Sequence, residues 1–166
     1  MGTVMFYQLL RSAPQDTLAV NAPRALGQGW RVMVRGTDPA ALDRLDAALW
    51  LVGGDDSFLP HGREGGPHDP EQPVLLGLGG PVNGAKVLAL VDGAAASDAE
   101  ITAMERVWVM FDGNDADRLH EARARRQHLV GRAAHRGAKT FHRAVVPAPT
   151  PVFLAREVGQ EEQVEV

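Results

Sequence analysis

The run Trp30-Arg31-Val32-Met33-Val34-Arg35-Gly36-Thr37-Asp38-Pro39-Ala40-Ala41-Leu42-Asp43-Arg44-Leu45-Asp46-Ala47-Ala48-Leu49-Trp50 decides the fold. Trp30 to Val34 reads as a short apolar strand. Asp38 then stands as a helix N-cap, with Pro39 at the first helical position, where its missing N–H costs nothing. Leu42, Leu45, Ala48 and Leu49 share one apolar stripe of that helix. A strand that feeds a helix through a short turn is the repeating unit of an α/β sheet.

The same alternation extends in both directions. Val4 to Leu10 reads as a buried strand. Leu18, Ala22, Ala25 and Leu26 follow at helical spacing, and Gly27 and Gly29 end that segment. Pro23 inside it predicts a kink or a late helix start. Beyond the second helix, Gly53 to Gln72 reads as a loop rich in Gly, Pro, His and acids, holding the apolar pair Phe58-Leu59. Three further strands are expected at Pro73 to Leu78, Lys86 to Val91 and Glu105 to Phe111. Between the last two, Ser97-Asp98-Ala99-Glu100 is a capping box opening a short helix.

A long final helix is expected from near Asn114 to about His135, with Asp115 and Asp117 favourably placed in its first turn and Gly137 after its end. Lys139 to Val146 fits a last strand. The reading is an open, largely parallel twisted sheet with helices on both faces, Rossmann-like but without a nucleotide site. It assigns residues 1–146 to one α/β domain and 147–166, proline-rich and acidic, to a flexible tail. No internal repeat is visible.

The chain has 166 residues, 45% of them apolar and 23% charged, which suits one globular domain with a real core. It contains no cysteine. That excludes disulfides, thiolate metal sites and cysteine nucleophiles, and suits a reducing cytoplasm. No apolar run approaches the length of a membrane span, and no basic leader precedes an apolar segment, so a soluble cytoplasmic protein is expected. Met1-Gly2 is not a myristoylation signal, because Phe6 stands where a small hydroxyl residue is required. Net charge is −4. The segment from Arg118 to Arg143 carries +7, however, against −11 elsewhere, an asymmetry that marks a solvated helix face or a site for an anionic partner.

No catalytic constellation emerges. The turn Leu10-Arg11-Ser12-Ala13-Pro14 lacks the glycines of a dinucleotide fingerprint, and no Gly-Lys-Ser/Thr phosphate loop occurs. The cluster Gly77, Gly79, Gly80 and Gly84 lies between strands with no helix start, and reads as a plain loop. His61, His68, Asp69 and Glu71 match no common metal-ligand spacing. Ser57 near His61 lacks an orienting third residue and a nucleophile elbow. His120, His128 and His135 share a polar helix face. No cofactor and no metal are expected.

The final helix is more informative. Leu119, Ala122, Leu129, Val130 and Ala133 form its apolar stripe, with Arg118, Arg125, Arg132 and Arg136 along one flank and Arg123 on the other. Arg126 falls within the stripe, so its guanidinium needs a cavity, water, an acid or an open end at which to snorkel.

The chain resembles the chi subunit family of bacterial DNA polymerase III holoenzyme. Leu42-Asp43-Arg44-Leu45-Asp46-Ala47-Ala48-Leu49-Trp50 followed by Asp56-Ser57-Phe58-Leu59-Pro60-His61-Gly62 carries the most specific signature. Val87-Leu88-Ala89-Leu90-Val91-Asp92-Gly93 and Glu105-Arg106-Val107-Trp108-Val109-Met110-Phe111-Asp112-Gly113 agree in order and spacing. Phe6-Tyr7-Gln8-Leu9 and Ala122-Arg123-Ala124-Arg125 also fit, so the likeness spans roughly residues 3 to 143.

The resemblance implies a non-catalytic accessory subunit with a nucleotide-binding-like fold that binds no nucleotide. Its partners would be the psi subunit of the clamp-loader assembly and the acidic, phenylalanine-ending tail of single-stranded DNA-binding protein. Strong direct nucleic-acid binding is not expected. The tail site would be an apolar pocket ringed by basic side chains, between the Ser57-Phe58 loop and the final helix. Phe58 matches the pocket phenylalanine, Phe111 the wall position, and Arg123 the clamp for a terminal carboxylate. Arg125, Arg132 and Lys139 would supply a looser positive field. Arg126 and Gln127 replace the family's usual aromatic and lysine, trading apolar packing for charge. The alternative is a nucleotide-binding or hydrolytic enzyme using the sheet crevice.

Overall fold

The computed structural model describes residues 3–52, 58–117, 120, 123, 124 and 142–146. Strand β1, Thr3–Leu9, leads into helix α1, Pro14–Gly27. Pro14 takes the first helical position, and the Asp16 carboxylate accepts a 2.7 Å hydrogen bond from the Ala13 N–H. The helix therefore begins well before Pro23, which lies in its interior and not at a late start. Gly29 at φ +75 turns the chain out, as glycine readily does.

Strand β2, Val32–Arg35, then joins helix α2, Pro39–Leu51. Asp38 caps α2 as expected, its carboxylate accepting from the Ala40 and Ala41 N–H groups at 3.1 and 3.2 Å. The expected loop from Gly53 to Gln72 is more ordered than its composition suggests. It contains strand β3, His61–Arg63, and a 3-10 turn at Asp69–Glu71. Three residues with a central glycine have no periodicity to read, and β3 exists because the neighbouring strand offers it a ladder.

Strands β4, Val74–Gly77, and β5, Val87–Leu90, are followed by helix α3, Asp98–Ala103, and strand β6, Arg106–Asp112. The Ser97 capping box forms: Oγ accepts from the Glu100 N–H, and the Glu100 carboxylate accepts from the Ser97 N–H at 2.8 Å. Strand β7, His142–Val146, lies within the predicted last strand. Residues 116, 117, 120, 123 and 124 are helical where the final helix was expected. The remainder of that helix and the tail from 147 to 166 lie outside the described residues.

The seven strands form one sheet in the order β3-β4-β2-β5-β6-β1-β7, and every pairing is parallel. Strand residues alternate between two cores. Tyr7, Leu9, Val32, Val34, Val74, Leu76, Trp108 and Met110 pack with Leu18, Ala22, Leu42, Leu45 and Leu49 of α1 and α2. Val4, Phe6, Met33, Leu75, Leu88 and Val107 pack on the other face with Met104 and Ile101 at α3. Helices therefore cover both faces, as predicted.

The connection from β4 to β5, residues 78–86, contains no helix. Buried Asn83 anchors it by donating to the Val32 and Gln72 carbonyls at 3.1 and 3.0 Å, and Ala85 joins the second core. Nine residues of coil do the work usually given to a crossover helix.

Candidate functional site

Three regions hold the chemistry that the sequence brings into question. The first is the rim at the carboxyl ends of the strands, where open α/β sheets take their ligands. Here the chain's own side chains bind one another. Arg35, at the end of β2, donates from Nε to the Gly79 carbonyl at 2.9 Å and from Nη1 to the Ala95 carbonyl at 3.0 Å. Its Nη2 donates to Glu100 Oε1 at 2.5 Å. That hydrogen bond, with the one from the Ser97 backbone, pulls the Glu100 carboxyl from 4.5 to about 2.

Alongside, Glu64 Oε2 accepts from the Leu78 and Gly79 N–H groups at 2.7 and 3.2 Å. A Cβ on Gly77 would stand 2.0 Å from Glu64 Oε2, and one on Gly79 2.5 Å from Oε1. Gly77, which ends β4, and Gly79 beyond it thus admit an internal carboxylate to the backbone, which accounts for half of a cluster that otherwise reads as plain loop. Among the described residues no group of three or more His, Asp or Glu side chains could hold a metal ion.

The second region is the outer edge of the sheet at β3. Trp50 and Leu51, in the last turn of α2, are 56% and 83% exposed, and Phe58 is 70% exposed. The Trp50 and Phe58 rings sit 5.7 Å apart between centroids, and the Trp50 ring lies 4.7 Å from that of His61. Leu59, next to Phe58, points into the core beside α2. His61 is buried, with Nδ1 2.7 Å from the Leu59 carbonyl and Nε2 3.3 Å from the Asp46 carbonyl. Exposed aromatic and aliphatic surface of this kind makes the patch a candidate interaction site. Sequence reasoning placed only Phe58 here as a site residue. Trp50 and Leu51, apolar residues one step beyond the buried stripe of α2, were the available signal.

The third region is the exit from β6. Phe111 is partly buried against the core on the α3 face and pairs in register with Gln8 of β1. Gly113 donates its N–H to the Leu9 carbonyl at 2.7 Å, and Asn114 Nδ2 donates to the Leu10 carbonyl at 2.8 Å. These bonds pin the start of the final helical segment to the end of β1. Arg123 is exposed on that segment. Arg125, Arg126, Arg132 and Lys139 lie outside the described residues.

The structure does not bring Phe58 and Phe111 together. Phe58 sits beside β3, and Phe111 is on β6, four places along the sheet. At about 4.8 Å per strand that is roughly 19 Å. The two rings also serve opposite sides: Phe58 touches Trp50 of α2, whose core is on one face, and Phe111 packs into the core of the other.

A family model described as DNA polymerase III chi subunit, HolC, matches residues 1–135. No curated protein matches the chain. Among the described residues, no helix is long and apolar enough to cross a membrane.

Proposed function

The chain belongs to the DNA polymerase III chi subunit family and so has an accessory role in DNA replication; from that premise we propose that it is a two-sided adaptor. One side captures the acidic tail of single-stranded DNA-binding protein. The other holds the psi subunit of the clamp-loader assembly. The observation that carries this reading is the separation of Phe58 from Phe111, because a linker requires two surfaces and a single pocket provides one.

The tail peptide belongs at the exit from β6. Its terminal phenylalanine packs against Phe111, where burying the ring contributes about 1.5–3 kcal/mol. Arg123 takes the terminal carboxylate by charge-assisted hydrogen bonds. Arg125, Arg126, Arg132 and Lys139 follow Arg123 in sequence and give the upstream acids a positive field, which acts mainly on association rate and salt dependence. The patch of Trp50, Leu51 and Phe58 suits a different occupant. From Asp46 to Phe58 the sequence holds three acids, Asp46, Asp55 and Asp56, and no Lys or Arg, so this stretch disfavours an acidic peptide. An apolar segment of psi fits it.

Calorimetric titration with a peptide ending in acids and Pro-Phe tests the assignment. Arg123→Ala is expected to weaken binding about tenfold, through loss of a directed charge-assisted bond. Phe58→Ala is expected to leave it unchanged. A Phe58→Ala loss as large as that of Arg123→Ala would place the tail site at the β3 edge and overturn the two-sided reading.

A further inference from the structure

We infer that His61 is a positioning residue for the aromatic patch: its buried imidazole sets where Trp50, and through it Phe58, stands on the surface. The inference rests on the reading of that patch as the site for psi. It starts from a mismatch of environments. His61 has a fully buried side chain, yet Trp50, whose ring lies against it, and Phe58, whose ring lies against that of Trp50, are largely exposed.

The imidazole is held from two directions. Nδ1 is 2.7 Å from the Leu59 carbonyl, within the segment that presents Phe58. Nε2 is 3.3 Å from the Asp46 carbonyl and 3.5 Å from Asp46 Oδ1, on α2. Asp46 and Trp50 are four residues apart and so occupy one face of that helix. The ring therefore bridges α2, at Asp46, to the Leu59 carbonyl, and Trp50 rests on it at 4.7 Å, tilted by 46°. Phe58 rests in turn on Trp50 at 5.7 Å, tilted by 42°. Offset and tilted ring pairs of this spacing hold their partners in a preferred geometry.

A large exposed aromatic side chain without such a support samples several rotamers, and ordering it on binding costs affinity. His61 removes that cost in advance. It needs no contact with the partner to do so.

A double-mutant cycle read against purified psi subunit tests the inference. His61→Ala is expected to weaken psi binding about tenfold in the otherwise unchanged chain, and to add almost nothing in a Trp50→Ala background. A role in general stability would weaken both backgrounds equally, and that result would overturn the proposal. Nuclear magnetic resonance of the free protein provides an arm that needs no partner. The Trp50 indole N–H should shift and lose order in His61→Ala, while resonances on the far side of the sheet stay in place. An unchanged Trp50 indole would also overturn the proposal. Should His61→Ala fail to fold, His61→Gln, which keeps a polar group at the bridge, carries the same two measurements. If Trp50→Ala and Phe58→Ala leave psi binding intact, the docking reading fails, and the indole resonance alone decides the role of His61.

Discussion

At Glu100 a single carboxylate carries a prediction about pH. Its hydrogen bond from Arg35 and its bond within the capping box both favour the charged form, so its folded pKa lies near 2, below the ordinary 4.5. A depressed carboxyl pKa adds stability above the unfolded value, and that stability is lost as pH falls through the folded one. The contribution is therefore fully present at neutral pH and disappears between about 4.5 and 2. A third of the side chain is exposed, so water screens the pair, and about 1–2 kcal/mol is the fitting size. Urea denaturation should show Glu100→Gln less stable than the parent by that amount at pH 7, with the gap narrowing below pH 4. A gap independent of pH would mean that the carboxylate charge is irrelevant to the clasp. The capping half of this arrangement was legible in the sequence, because Ser97 and Glu100 are three residues apart. The clasp to Arg35 was not, since its partners are 65 positions apart and meet only when the rim assembles. His61 was opaque for the same reason. Read alone it is a histidine in a polar loop, and only the fold gives it the carbonyls of Leu59 and Asp46.

Among the elements, legibility follows local signal strength. Helix α2 carried its cap, its proline and its stripe between Asp38 and Leu49, and its predicted start is the observed one. Strands β4, β5 and β6 announced themselves as apolar runs and differ from expectation by a residue or two at their ends. Strand β3 could not be seen, because its three residues owe their extended form to pairing with β4. The separation of Phe58 from Phe111 was hidden by the same limit: sequence order places both on landmarks of one family pattern but does not give the strand order that separates them. The junction after β6 yields a prediction of its own. A Cβ at Gly113 would lie 2.5 Å from Gln8 Cγ and 2.8 Å from Leu10 Cδ2. Gly113→Ala must push these side chains aside at the root of the Arg123 segment, at a cost of about 1–3 kcal/mol. Thermal denaturation and tail-peptide titration should therefore both show a loss, with psi binding spared. Loss of psi binding alone would contradict that layout.

On the scale of the whole molecule, the charge division takes on meaning through the topology. The segment from 118 to 143, at +7, follows β6 in sequence and runs into β7, the strand at the end of the sheet opposite β3. In the proposed adaptor an acidic peptide is drawn toward the basic segment, and an apolar segment takes the patch beside β3. Tail-peptide affinity should then fall steeply between low and physiological salt, while psi affinity, resting on apolar contact, should change little. The most direct test of the adaptor is simultaneous occupancy. Tail peptide is titrated calorimetrically into the protein alone and into the protein saturated with psi. The two-sided account predicts one peptide bound per chain with the same affinity in both titrations. Displacement of the peptide by psi, or loss of the peptide site in the complex, would show that the two partners share one surface and would contradict it.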